Sequence, residues 1–372
     1  MGEHLHIICL DVPYPVNYGG MFDLFYKLGA LQNEGIRIHL HCFEYGRGEQ
    51  PELNKYCEEV HYYRRRTGLR GLSGSLPYIV SSRYNEELLD RLLEDDYPIL
   101  MEGIHCTGLL NNKLFSNRGL FVRLHNVEYE YYYQLSKLER SPFKKLFYRR
   151  ESRLLKKYEA RIARKAFFMA VSEKDAVLYR RDFHAKAYFL PVFIPWTEVE
   201  SPTGSGQFCL YHGNLSVAEN EAAATWLLQE VFNDLQIPFV IAGKNPSRRL
   251  RQLVNKSAQA CLVANPGMDE MQDLIKTAHI NVLPAFNSAG VKLKLLNALY
   301  MGRHCITNRK GVEGIALELS CHLADTAQEM KDCIRAFFQQ EFNQEMKEHR
   351  SILMDATYGN KESAKHLIGW IW

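Results

Sequence analysis

Apolar and polar positions follow two alternating periods along this 372-residue chain. Short runs rich in Ile, Val and Phe occur at 6–12 (HIICLDV), 36–43 (IRIHLHCF), 97–103 (YPILMEG), 120–125 (LFVRLH), 166–172 (AFFMAVS) and 187–193 (AYFLPVF). Each has the length and flanking turn residues of a strand. Between them lie stretches such as 21–35 (MFDLFYKLGALQNEG) and 85–96 (NEELLDRLLEDD), whose apolar residues recur at helical spacing. Strand and helix in alternation predict a parallel sheet covered on both faces, an α/β class. The pattern pauses once, at the small polar run 201–207 (SPTGSGQ), which reads as a linker. It then restarts with strand candidates at 208–214 (FCLYHGN), 239–245 (FVIAGKN), 260–267 (ACLVANPG), 280–286 (INVLPAF) and 304–308 (HCITN). The length exceeds what one core usually serves, so two domains are expected, at 1–200 and 201–355, with an apolar helix in the remaining 356–372.

Composition leaves this picture intact. The apolar fraction of 46% and charged fraction of 24% are those of a globular protein. The nine cysteines are scattered with no C-x-x-C, which predicts reduced thiols in a cytoplasmic protein and neither a disulfide framework nor structural zinc. No apolar run approaches the roughly 20 residues of a membrane span. Net charge is only +3, but residues 140–165 carry eleven Lys and Arg against Glu151 and Glu159. Within that segment Leu146, Phe147, Leu154, Leu155, Tyr158 and Ile162 recur at helical spacing. A basic amphipathic helix suits either a solvated face packed by its apolar stripe or an anionic membrane surface. Nucleic acid is not expected as a partner, because no helix-turn-helix, zinc or RNP-type pattern accompanies the charge; a nucleic-acid-binding protein using 140–165 is the second, weaker functional alternative.

Ligands of open α/β sheets bind at the carboxyl ends of strands, near helix N-termini. Gly19 and Gly20, just before a helix pattern, either approach a phosphate or sugar with their backbone or make a tight turn. His125, Asn126 and Glu128 sit at the mouth of an apolar strand. There His125 and Glu128 suit hydroxyl binding or proton transfer, while Asn126 and Glu128 equally suit a helix start. In 287–302 (NSAGVKLKLLNALYMG), Gly290 and Val291 offer N–H groups to an anion, and Lys292 and Lys294 fall in the first turn of a helix. Cations there oppose the helix dipole, a cost that a bound diphosphate would reverse and that solvation would merely soften. Asn297 interrupts the apolar face one turn on.

Taken in order, these loops resemble the GT-B glycosyltransferases, and within them the retaining glycosyltransferase family 4, over essentially the whole chain. The matching pieces are PYPVNYGG, HNVE, MAVSEKDAVLYRR, FLPVFIP, LYHGNLSVAENEAA and LPAFNSAGVKLKLLNALYMGRHCITN. The resemblance implies two Rossmann-like domains facing across a cleft that holds a nucleotide-sugar, with the C-terminal helix crossing back to the first domain. It places Gly19, Gly20 and Gly290 to Lys294 at the donor diphosphate, Asn297 at a ribose hydroxyl, His125 near the transferred sugar, and Gly267 and Met268 near the base. Gly213 and Asn214 end the first strand of the second domain, and Lys244 is a further candidate for positive charge. No metal or other cofactor is implied beyond the nucleotide-sugar co-substrate, and the acceptor would be a sugar or lipid-linked sugar. Three positions depart from the family pattern. Family members commonly have glutamate at the positions of Asn297 and Ala289, and an arginine where Asn214 stands. A non-catalytic nucleotide- or partner-binding protein is the alternative those losses leave open.

Overall fold

The computed structural model describes residues 2–16, 19–139, 141–286, 290–313 and 318–372. The chain divides into two compact units: residues 1–195, 289–291 and 358–372 form the first, and 196–288 and 292–357 the second.

The first unit holds β1 (His4–Cys9), β2 (Arg37–Glu44), β3 (Glu59–Arg64), β4 (Ile99–Glu102), β5 (Leu120–Leu124), β6 (Phe167–Ala170) and β7 (Lys186–Phe189). They pair in the order β3-β2-β1-β4-β5-β6-β7, every pair parallel. Parallel strands buried on both faces read as continuous apolar runs, and β4 and β5 are buried at every position. One face packs Ile8, Met101, Val122 and Leu124 beneath Leu155 and Tyr158 of the helix Pro142–Ile162. The other packs Ile7, Leu40, Leu100 and Phe121 against Leu24 and Leu28 of the helix Gly19–Asn33. Ala364 and Leu367 of the last helix, Asn360–Ile371, join that second core. The Asn360 side chain fastens the last helix to the segment after β7, accepting from Ile194 N at 3.1 Å and donating to Ile194 O at 2.7 Å.

His4 and His6 of β1 and His39 and His41 of β2, two alternate positions in each strand, share one face. His6 Nδ1 lies 2.8 Å from His41 Nε2, and His4 Nδ1 2.8 Å from His39 Nε2. Burial pushes His6 down to about 4, despite Asp95 at 3.0 Å, and lowers His41 as well, so the buried pair of His6 and His41 is made of neutral imidazoles at physiological pH.

The second unit holds β8 (Cys209–Asn214), β9 (Phe239–Lys244), β10 (Ala260–Ala264), β11 (Ile280–Val282), β12 (His304–Thr307) and β13 (His322–Leu323). Their order is β10-β9-β8-β11-β12-β13, again all parallel. In each sheet the direction of winding reverses once, between β1 and β4 and between β8 and β11, and it is at such reversals that doubly wound sheets open a crevice for ligand.

The basic stretch forms the helix Pro142–Ile162, with Leu155, Tyr158 and Ile162 buried as the periodicity predicts. Its two glutamates are buried as well. Glu159 accepts from Tyr129 N at 3.0 Å and Tyr179 Oη at 2.7 Å, and Glu151 accepts from Tyr78 N at 2.6 Å. The outward face is therefore more positive than the sequence count indicates. At the other end, Phe143 and Leu146 are 84% and 69% exposed, so the first turns of the helix lie off the core. Among the described residues no helix is long and apolar enough to cross a membrane.

Burial raises the Glu159 carboxyl from 4.5 to about 8, so the native state holds its proton far more tightly than the unfolded chain does. Its contribution to stability is complete below about pH 4.5 and is lost as pH rises through about 8. In urea unfolding, the stability difference between wild type and Glu159→Gln is expected to shift in favour of the variant by roughly 3 kcal/mol between pH 5 and 8.5. A difference that does not change with pH would overturn this account.

Candidate active site

The first unit's reversal point is built from charges that the apolar pattern concealed. Asp23 and Lys27, one turn apart in the helix after β1, lie beside Glu102 at the end of β4 and Arg123 in β5, and all four are buried. Arg123 Nε and Nη2 donate to the two Asp23 carboxylate oxygens at 2.8 and 2.7 Å. Lys27 Nζ bridges Asp23 Oδ2 at 3.0 Å and Glu102 Oε1 at 2.5 Å. Arg123 also donates to Leu190 O at 2.7 Å and Pro191 O at 2.9 Å, while Phe193 N donates to Asp23 Oδ1 at 2.9 Å. Burial alone would raise both carboxyls. The Arg123 and Lys27 cations hold Asp23 well below the carboxylate range, and Lys27 and His125 hold Glu102 below it.

His125 stands just after β5 at the outer end of this network. Its Nε2 is 3.1 Å from Glu102 Oε2, and its Nδ1 is 4.0 Å from Asp23 Oδ2. With Glu102 ionised, Nε2 carries the proton and donates, so the ring is oriented by the buried acids. Asp23, Glu102 and His125 offer ligand atoms within 4.8 Å of one another, the geometry of a cation site. Lys27 and Arg123 already neutralise both carboxylates, so a metal ion there would have to displace a buried cation.

Glu128 opens the helix Glu128–Leu138, yet it is only 4% exposed. Burial raises it to about 7, with the Asn126 side chain as a hydrogen-bonding neighbour that opposes the shift. It faces Asp175 and the buried Glu159, among acids held partly as neutral carboxyls. Gly19 and Gly20 start the helix that carries Asp23; the preceding Asn17 and Tyr18 lie outside the described residues. Gly290 has φ +62, the left-handed region that glycine enters freely, and a Cβ there would come 2.9 Å from Asn126 Oδ1.

The second unit gathers the other candidates at the carboxyl ends of its strands. Gly213 and Asn214 end β8, and Asn214 Oδ1 is occupied by Ser216 N at 3.1 Å and Ser216 Oγ at 2.7 Å, a turn that closes the loop on itself. Lys244 ends β9 and is exposed. Gly267 is the N-cap of the helix Met268–Thr277, with Met268 81% exposed at its first position. Lys292 leads into the helix Leu293–Met301, whose start has no side-chain cap, while Val291 before it belongs to the first unit. Asn287, Ser288 and Ala289 lie outside the described residues.

Lys294 reaches back toward β8. Its Nζ donates to Tyr211 Oη at 3.2 Å and Asn220 Oδ1 at 3.1 Å and lies 4.8 Å from the centre of the Tyr211 ring. Burial lowers it to about 8, opposed by the charge of Glu219, and Lys292 is lowered for the same reason. Asn297 Oδ1 and His212 Nε2 are buried without a hydrogen-bond partner among the described residues. Behind the helix, buried Arg350 donates to Leu299 O at 3.3 Å, Gly302 O at 2.7 Å and Arg303 O at 2.6 Å, capping its last carbonyls. A side chain at Gly302 would collide with the Asn281 amide of β11, so the end of the helix is pinned against the sheet.

Residues 206–340, nearly all of them in the second unit, match the family model described as Glycosyl transferases group 1. Sucrose-phosphate synthase from Thermosynechococcus elongatus superposes with a TM-score of 0.69 at 13% identity, over 99% of this chain and 98% of that one. The chain has the GT-B fold, and residues 206–340 form a domain of the glycosyl transferases group 1 type. HepE from Anabaena, in complex with UDP and glucose, has a TM-score of 0.64 to this chain at 11% identity, with 98% of each chain covered. By sequence, a Klebsiella pneumoniae protein described as an uncharacterised 44.6 kDa protein in the cps region is 27% identical over 334 residues, 83% of each chain.

The sequence reading overlooked Asp23, Lys27, Glu102 and Arg123. The signal was present: each is a lone charge inside an apolar run, and a charge in a buried element needs a partner. Lys27→Met leaves Glu102 buried without its cation and is expected to cost roughly 3 to 5 kcal/mol in chemical denaturation. Adding Glu102→Gln should recover part of that loss. Strictly additive effects would mean that the pair is not coupled.

Proposed function

We propose that this protein is a glycosyltransferase that moves a hexose from a nucleotide-sugar to a hydroxyl of a sugar or lipid-linked sugar, in polysaccharide or glycoconjugate assembly. We further propose that it retains the anomeric configuration, as family 4 enzymes do, and needs no metal ion. The observation that carries the reading is Lys294: a desolvated ammonium at a helix start, whose hydrogen-bond partners are neutral. An anionic diphosphate supplies the charged partner that Tyr211 and Asn220 do not, and the N–H groups at the start of the same helix favour the same ligand.

When the bond from the sugar to the diphosphate breaks, negative charge develops on the leaving oxygen. Lys292, Lys294 and the helix N-terminus stabilise it without a divalent ion. The acceptor oxygen attacks from the face the diphosphate leaves, and the acceptor proton departs with the nucleoside diphosphate. His125, oriented by Glu102, serves the transferred sugar. Asn297 Oδ1, buried and unpartnered, accepts from a ribose hydroxyl, with less strength than the usual glutamate because the charge-assisted component is missing. UDP and glucose in HepE and the cps-region description of the Klebsiella relative support the donor class and the polysaccharide setting.

The test is a panel of UDP-, GDP-, ADP- and dTDP-sugars assayed for binding and turnover with and without EDTA, with product configuration read by NMR. If no member binds or is hydrolysed, the reading fails. For the member that binds, affinity should fall as pH rises through about 8, with proton uptake on binding, because the anion favours charged Lys294. Lys294→Met should weaken binding roughly ten- to hundred-fold and abolish the proton uptake, whereas Asn297→Glu should tighten it about ten-fold.

A peripheral membrane location is supported by Phe143 and Leu146, both strongly exposed, beside Lys144, Lys145 and Arg149. Apolar side chains that enter the acyl boundary between cations that meet anionic headgroups make a membrane-binding face. Wild type should sediment with anionic liposomes at low salt, and Phe143→Ser with Leu146→Ser should reduce this at least five-fold. Equal sedimentation of the two would remove the reading.

A further inference from the structure

A cavity of about 480 Å³ opens in the first unit at the amino ends of β5, β6 and β7, the edge of the sheet opposite His125. The length of β5, roughly 16 Å for five residues, separates the two places. The volume lies within the range of small-molecule sites. Its floor is aromatic: Phe167 sits 5.5 Å from Trp370 and 5.9 Å from Phe121, centre to centre.

Its rim is basic. Arg118, Arg164, Lys165, His184 and Lys186 line it, and no acidic residue does. Two of these are engaged: Arg118 pairs with Asp95 at 2.6 Å, and Lys165 donates to Leu110 O at 3.1 Å. The side chains of Arg164, His184 and Lys186 make no hydrogen bond or ion pair among the described residues. Cations near a helix C-terminus are favourable in themselves, which accounts for Arg164 and Lys165 at the end of the helix Pro142–Ile162. It does not account for Lys186, which comes from the start of β7. Like charges around one opening repel, and an anion held between them relieves that repulsion.

We propose that this cavity binds an organic phosphate, with the phosphate on Arg164 and Lys186 and an apolar or aromatic body against Phe167 and Trp370. The ligand is distinct from the sugar donor, whose candidate residues gather at the carboxyl ends of strands. A lipid phosphate and an aromatic phosphate ester share the required chemistry.

The test titrates the full chain with decyl phosphate, phenyl phosphate and inorganic phosphate, by calorimetry and by tryptophan fluorescence. Wild type should bind at least one ester ten-fold more tightly than inorganic phosphate, and Arg164→Glu with Lys186→Glu should weaken that binding at least ten-fold. Both reversed residues are exposed, so the double variant should keep the wild-type Tm and its turnover with the nucleotide-sugar donor. Trp370→Leu should erase the preference for ester over inorganic phosphate. Tighter decyl phosphate binding identifies a lipid source, and tighter phenyl phosphate binding an aromatic one. Equal affinity of wild type and the charge-reversed variant overturns the site, as does binding of inorganic phosphate as tight as that of both esters.

Discussion

Two carboxylates and two cations are buried together where the first sheet reverses, with a half-buried imidazole at their outer end, and several segments depend on their staying paired. Asp23 is the hub. It joins Arg123 of β5, Lys27 of the first helix and the backbone of Phe193 after β7, and through Lys27 it reaches Glu102 of β4. A buried ion pair is a poor source of net stability, because desolvation offsets much of the attraction. Breaking one partner away is costly, so such a network fixes position more than it adds strength. What it fixes here is the mouth of β5, and with it His125.

The second unit puts the opposite arrangement in the corresponding place. Lys294 also lies beside the strand at its sheet's reversal, yet its bonds go to a phenol and an amide rather than to a carboxylate. The first reversal point is closed in charge, and the second is left with a cation whose burial works against it. Chemically the first suits the neutral hydroxyls of a sugar, and the second suits a diphosphate.

Most of the fold was legible because parallel strands buried on both faces must be continuous apolar runs, and eleven such runs correspond to strands. The two that escaped had physical reasons to do so. β3 lies at a sheet edge and reads EVHYYR, with charges and aromatics where a central strand would have aliphatics, and β13 is only two residues long. The candidate loops were found through glycines and helix starts, which mark backbone that approaches a ligand. The buried charges were missed for the converse reason: periodicity averages over a single Asp or Arg, although that residue is the one whose partner must be found. Glu128 shows the limit from the other side, since its spacing after the strand suited a mouth position while its side chain turned inward to a site where burial raises its carboxyl to about 7.

The helix Leu293–Met301 explains how lysines at a helix start can be tolerated in the folded chain. Their repulsion from the dipole acts within the first turn, while the other end is held independently. Arg350 satisfies the last carbonyls, and Gly302 allows the chain to press against Asn281 of β11. The apolar face, Leu295, Leu296, Ala298 and Leu299, is fully buried. The helix is thus anchored by its C-terminus and its core face, and its N-terminus can hold an arrangement that is unfavourable by itself. Asn297 belongs to that same unfavourable set: a buried amide oxygen with no partner, one turn beyond the lysines, costs stability in the free protein. Strain of this kind is expected where a ligand, and not the protein, completes the set of partners.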